Sequence, residues 1–347
     1  MSKVIREDIA RIASEFEREL EDLEGKVVLI TGANGMIPSY IADIIAWNNK
    51  LLHQPTKLLL YSRNKTTKSS RLGHLLDDKN VRWVSGDIGK PFSIPSRVNL
   101  ILHGASRASP ASFKQEPLDT IDANVNGTRT LLEYAAKNGL EQFLLFSSSE
   151  VYGNPPKEQI PTPETYLGNV NCMGDMACYA EAKRFSETLC TAFFRKHNVA
   201  TKALRIFQTI GPGLRDDGKT IAKIFSGAIN EGKIVLRDPG LSQRSYGYVG
   251  DTARGILQVM FYGKSGEAYN IGDDTNYCSI KEVAEIVKSI LNVTAPIQAP
   301  DRYPAGKERI ENRSPDILKL RNLGFKPKTN LETSLRRTGV HYLETGI

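Results

Sequence analysis

The sequence predicts an α/β protein built on a doubly wound parallel sheet, with a smaller C-terminal region after it. Three features carry that prediction. Short apolar runs suit strands buried on both faces. Helix-length segments alternate with those runs, as in a sheet wound on both sides. A glycine-containing turn stands at the first strand-to-helix junction, at residues 31–38.

Residues 1–24 read as an amphipathic helical extension. Ile5, Ile9, Ile12, Phe16, Leu20 and Leu23 recur every three or four residues and trace one apolar face. We expect that face to pack on the chain's own domain; a dimerisation arm is the competing reading. Residues 25–207 read as the main α/β domain. Strands are expected over 26–31, 57–62, 81–85, 98–103, 142–147 and 201–207, with helices over 36–47, 116–138 and 177–197. Residues 208–347 have a less regular order, rich in Pro and Gly, and read as a smaller region interleaved with the first.

Composition narrows the function. The net charge of +7 is spread along the chain, without a basic stripe or recognition motif. That disfavours nucleic acid and suits small phosphorylated ligands. No apolar run reaches membrane-spanning length, and the charged N-terminus lacks a signal-peptide core, so no membrane partner and a cytoplasmic location are expected. Cys172, Cys178, Cys190 and Cys278 form no CxxC pair, so reduced, mostly buried thiols and no metal site are expected.

The turn after the first strand has the context of a dinucleotide site. Gly32 permits a tight turn, and Gly35 lets backbone approach a pyrophosphate. The start of the following helix, with Asn34, Met36 and Ile37, supplies free N–H groups and a positive dipole. Pro38 stands where a third glycine is usual; proline is tolerated in a first helical turn, but helix–strand packing must adjust. After the second strand come Ser62 and Arg63, with no carboxylate for a ribose hydroxyl. An arginine there can meet a 2′-phosphate, so the cofactor is read as NADP or NAD, with NADP favoured. Asp87 and Ile88, after the third strand, are placed beside the adenine.

A second constellation carries chemistry. Tyr179 and Lys183 lie four apart, on one face of a helix. A neighbouring ammonium group and a cofactor cation would favour the phenolate of a tyrosine base. Ser147, Ser148, Ser149 and Glu150 close a strand at its carboxyl end, where parallel sheets bind ligands. Ser148 can hydrogen-bond a substrate hydroxyl and the tyrosine, and Glu150 can act as a general acid or base.

The glycine turn, Ser148, Tyr179 and Lys183, in this order, resemble the extended short-chain dehydrogenases/reductases, with their Rossmann-like fold. Within that group the chain is most similar to the UDP-glucuronate decarboxylases, or UDP-xylose synthases. Residues 103–110, 124–128, 148–153, 168–171, 177–184, 205–207 and 313–317 carry the likeness, which runs from about residue 25 to 335. The resemblance implies that Tyr179 is the base for a sugar 4-hydroxyl and that Lys183 supports it and holds the nicotinamide ribose. It implies that Glu150 is the acidic residue of the decarboxylases, and that Ala105 and Asn124 join the cofactor site. Ser109, Ser149, Gln208, Lys219, Arg244 and Arg313 fall on the substrate side, the two arginines around the diphosphate of a nucleotide sugar. It also implies a homodimer through the helices over 116–138 and 177–197. Four departures border the expected sugar and phosphate pocket: Gln208 for asparagine, Lys219 for arginine, Arg107 for proline, and the stretch 173–176. The implied activity is oxidation at C4 followed by decarboxylation. A 4,6-dehydratase, a 4-epimerase and a non-catalytic cofactor-binding scaffold remain alternatives.

Overall fold

A computed structural model describes residues 1–174, 176–303 and 312–346. Asp175, within the departing stretch 173–176, lies outside the described residues. Among the described residues, the strands are β1 (Val27–Thr31), β2 (Lys57–Ser62), β3 (Val81–Ser85), β4 (Leu100–His103), β5 (Gln142–Ser148), β6 (Thr201–Ile206), β7 (Thr209–Ile210), β8 (Gln243–Ser245), β9 (Gly247–Tyr248), β10 (Glu267–Ile271), β11 (Tyr277–Ser279) and β12 (Asn312–Arg313). The helices are α1 (Lys3–Glu15), α2 (Glu17–Glu21), α3 (Met36–Asn48), α4 (Pro110–Gln115), α5 (Pro117–Asn138), α6 (Ala177–His197), α7 (Thr220–Asn230), α8 (Val249–Tyr262), α9 (Ile280–Ile290), α10 (Leu318–Arg321) and α11 (Leu331–Thr345).

The main sheet runs β10-β6-β5-β4-β1-β2-β3, and all of its pairings are parallel. Alternation along β1 sorts its side chains: Val28 and Ile30 join the core under α1, α3 and α8, while Leu29 joins the core under α5 and α6. The strands on either side of β1 are reached by crossovers of opposite direction. The crevice at its carboxyl end is therefore a topological switch point, where such sheets bind ligands.

Local chemistry sets the helix limits. Pro117 starts α5, and Gly139 ends it in the left-handed region at φ 65°. Ser2 caps α1 by accepting the Ile5 N–H. The apolar face of the N-terminal segment is buried in the central core: Ile9 and Ile12 are fully inaccessible, and Asp8 receives hydrogen bonds from Tyr40, Tyr248 and Arg337. The apolar face thus packs on the chain's own domain. The region after residue 208 is likewise interleaved. It returns α8 and β10 to the main sheet, while α7, α9 and α11 surround a second core around Phe225 and Val283. The thiols differ from expectation: Cys190 is buried, Cys172 is exposed, and Cys178 and Cys278 are half-buried. Among the described residues, no helix is long and apolar enough to cross a membrane.

Candidate active site

A cleft of about 910 Å³ opens along the carboxyl ends of the strands. At its floor, Gly32 has φ +69°, and a Cβ there would lie 2.8 Å from the backbone of Gly104 and Ala105. Only glycine lets the first turn close on the β4 loop. Gly35 is the N-cap of α3, with no side chain capping the helix. The first-turn amides of Met36 and Ile37 thus start a helix at the cleft, as a pyrophosphate requires. Asn34 donates to Thr66 Oγ1 (2.8 Å) while its own side-chain oxygen is buried without a hydrogen-bond partner. Pro38 is accommodated by a second glycine: a Cβ on Gly104 would meet the proline ring at 2.8 Å. The packing adjustment therefore sits on β4 and not in α3.

Ser62, Arg63, Lys65 and Ser70 line the end of the cleft beyond β2, and Asp87, Ile88 and Ala105 line the adjoining wall. Ser62 is turned to its own loop, donating to the Asn64 carbonyl (2.6 Å). Asn124 does not line the cleft. It is buried in α5, its amide donates to the Thr120 carbonyl (2.7 Å), and its own carbonyl accepts from Ser186 of α6 (2.9 Å). It is a staple between two helices, and its neighbour Ala123 faces the cleft.

At the centre, Ser148 Oγ hydrogen-bonds Tyr179 and accepts the Glu150 N–H (3.2 Å). Phe113 of α4 stacks on Tyr179, centroids 4.7 Å apart. Lys183 donates to the Phe146 carbonyl (2.6 Å), with its ammonium 5.8 Å from the Tyr179 ring centroid. Burial is the largest influence on both groups. It pushes the phenol up to about 12, Ser148 pulling it down and Glu150 raising it further, and it lowers Lys183 to about 8. Bringing a phenol from about 12 to neutrality takes about 7 kcal/mol of differential stabilisation, the kind a cation beside the ring provides.

Adjacent serines face different partners. Ser147 donates to Glu187 (2.5 Å), which also holds Arg205 at 2.8 Å. Arg205 in turn reaches Tyr152 (2.9 Å), whose hydroxyl donates to Asn270 (2.7 Å). This network lies behind the turn bearing Ser149 and Glu150. Beneath the site, His103 bridges Thr31 (2.7 Å) and Thr128 (3.1 Å); burial, aided by the Lys183 charge, lowers it to about 3, so it is neutral.

The residues expected on the substrate side, Ser109, Ser149, Gln208, Lys219, Arg244 and Arg313, all line the cleft. Lys219 is paired with Asp217 (2.5 Å). Arg244 and Arg313 sit opposite each other across the parallel pair β8–β12. Burial and the Arg313 charge together lower the Arg244 pKa. Arg313 is engaged on the cleft wall. Both of its terminal nitrogens hold the Glu150 carboxylate, and one also donates to the Gly153 carbonyl (2.8 Å). Arg107 lies on the cofactor side, against Asp87.

A glycine turn at the switch point, an uncapped helix start and a Ser–Tyr–Lys set in one cleft define an enzyme of the short-chain dehydrogenase/reductase class. The profile described as "NAD dependent epimerase/dehydratase family" matches residues 28–272, and the chain belongs to that family. It is 33% identical over 324 residues to UDP-glucuronic acid decarboxylase 5 of Arabidopsis thaliana, covering 90% of this chain and 91% of that one. It is 30% identical over 342 residues to UDP-glucuronic acid decarboxylase 1 of Danio rerio, covering 96% and 78%. Among solved structures, UDP-glucose 4-epimerase of Thermotoga maritima shares the fold at a TM-score of 0.78 with 23% identity, covering 92% and 99%. The dTDP-glucose 4,6-dehydratase DesIV of Streptomyces venezuelae does so at 0.79 with 24% identity, covering 92% and 97%.

Proposed function

We propose that the protein decarboxylates a UDP-glucuronate-type nucleotide sugar after oxidising it at C4. The observation that carries this reading is the two-point hold of Arg313 on Glu150, in the same cleft as Ser148, Tyr179 and Lys183. An acidic group built this firmly beside the base suits a reaction with a second proton transfer. The similarity to UDP-glucuronic acid decarboxylases over most of both chains supports it.

A nicotinamide cofactor, when bound, would supply the hydride acceptor and donor for C4. Gly32, Gly35 and the amides of Met36 and Ile37 would hold its pyrophosphate, and Lys183 its nicotinamide ribose. Tyr179 takes the proton of the C4 hydroxyl, with Ser148 donating to the same oxygen. The 4-keto sugar carries its C5 carboxylate as a β-keto acid, which breaks the C5–carboxylate bond and releases carbon dioxide. Glu150 manages the proton that C5 gains, and Tyr179 returns its proton as C4 is reduced. Arg244 and Lys219 neutralise the diphosphate. We favour NADP as the cofactor, because Arg63, Lys65 and Ser70 line the ribose end of the cleft.

The proposed assembly is a homodimer through α5 and α6, whose outer groove bears the half-exposed Phe185 and Ile121 beside the exposed Met173. A cytoplasmic setting suits four free cysteines. Mixing the protein with cofactor and UDP-glucuronate should produce reduced nicotinamide in single turnover, and Tyr179→Phe should abolish it. Reduction that persists in Tyr179→Phe would remove Tyr179 from its role.

A further inference from the structure

The loop between β4 and α4 carries a guanidinium that the chemistry above does not use. Arg107 is almost enclosed, its side chain 11% exposed, and three carboxylates surround it. One terminal nitrogen lies 3.3 Å from Asp87 and 3.4 Å from Asp119, and the other pairs with Glu116. These acids come from three places in the chain. Asp87 follows β3 at the cofactor wall of the cleft, Glu116 is the single residue between α4 and α5, and Asp119 is in the first turn of α5. The planar fork of arginine can bind all three at once, which the point charge of lysine cannot.

What this junction holds is α4, a helix of six residues. So short a helix does not persist by itself in water. Its N-terminus is closed by Ser109, which accepts the Ser112 N–H at 3.2 Å, and its C-terminus is the Glu116 junction. Between these ends, α4 presents Phe113, the ring stacked on Tyr179. Without Arg107, the three carboxylates would lose the guanidinium that joins them, and the far end of α4 would lose its tie to the cleft wall.

We propose that Arg107 is a positioning residue for catalysis: it ties the α4–α5 junction to the cofactor wall and so holds Phe113 against the base Tyr179. The proposal rests on Tyr179 as the base, and also predicts a local order that is measurable without any substrate. In the full-length protein, Arg107→Ala should accelerate amide hydrogen exchange of residues 109–116 about tenfold, while strands β1, β4 and β5 keep their protection. With UDP-glucuronate as the probe, kcat for cofactor reduction should fall about tenfold with KM within about twofold, as for an interaction that matters at the transition state. Arg107→Lys should recover part of both effects. Phe113→Ala should lower kcat similarly, and the Arg107→Ala/Phe113→Ala pair should lose no more than the worse single variant, as for residues acting through one contact. Unchanged exchange over 109–116, or multiplicative losses in the pair, would overturn the proposal. If the unsubstituted protein fails to reduce cofactor with UDP-glucuronate, the functional reading fails, and the exchange measurement alone decides whether Arg107 holds α4.

Discussion

Replacing Glu150 with glutamine removes a charge while keeping the shape of the side chain, so it separates two roles. The Glu150 side chain is 21% exposed and that of Arg313 only 7%, so the pair is largely withdrawn from water. Glutamine keeps one acceptor oxygen for Arg313 and loses the charge. A hydrogen bond to a charged group contributes about 1.5–3 kcal/mol, so the variant should be destabilised by about 2 kcal/mol, or a few degrees in Tm. If Glu150 moves the C5 proton, the chemical cost is larger, about 10²–10⁴-fold in rate or roughly 3–5 kcal/mol of barrier. Single-turnover nicotinamide absorbance with UDP-glucuronate should then show normal cofactor reduction and a slow return, as the 4-keto sugar accumulates. A companion variant, Glu150→Gln with Arg313→Met, removes both charges. It should regain stability, because the buried cation is gone, without regaining rate. A Glu150→Gln enzyme that reoxidises its cofactor at the unsubstituted rate would refute the proton-transfer role and leave Glu150 as an anchor for Arg313.

Other consequences are independently measurable. Arg63→Ala should weaken NADP binding by tenfold or more in calorimetry, about 1.4 kcal/mol or greater, and leave NAD binding nearly unchanged; equal effects on both would remove the case for NADP. Ile9→Ala should cost about 2–5 kcal/mol in urea unfolding, because its side chain is fully buried in the central core; a loss below 1 kcal/mol would mean that α1 is not part of the cooperative core. Phe185→Asp should convert the proposed dimer into a monomer by light scattering, whereas a monomeric unsubstituted protein at micromolar concentration would end the dimer proposal. His103 has a folded-state pKa near 3, against 6.5 when unfolded. The unfolded chain therefore binds its proton first as pH falls, and the stability that neutral His103 provides above 6.5 is lost toward 3. The urea midpoint of His103→Asn should accordingly drop less between pH 7 and pH 5 than that of the unsubstituted protein; equal drops would exclude His103 as a source of acid sensitivity.

Parts of the molecule were legible in the sequence for identifiable reasons. The central strands β1, β4 and β5 are mostly apolar because both of their faces are covered, and the bounds of β2 and β3 match expectation residue for residue. The helix α4 was not anticipated, since six residues contain no period and its order comes from Ser109 and the Arg107 junction. In the C-terminal region, β7, β9 and β12 are two residues each, too short for any alternation. In β10, the buried Asn270 finds its partners at Thr162 and Asp316, far away in sequence. The site divides in the same way. Gly32, Ser148, Tyr179 and Lys183 are placed by local turns and helix spacing, which a motif preserves. Glu150 and Arg313 are 163 residues apart, and nothing local announces their pairing. Asn124 lies one helical position from Ala123, which faces the cleft, and a step of one residue turns a side chain by about 100°.

The proposed activity removes the C5 carboxyl group of a nucleotide sugar. Incubating the protein with NAD or NADP and UDP-glucuronate, and weighing the sugar nucleotide by mass spectrometry, tests this directly. Decarboxylation predicts a product lighter by one carbon dioxide. An unchanged mass with inverted C4 stereochemistry, a product lighter by one water, or unaltered substrate would contradict it.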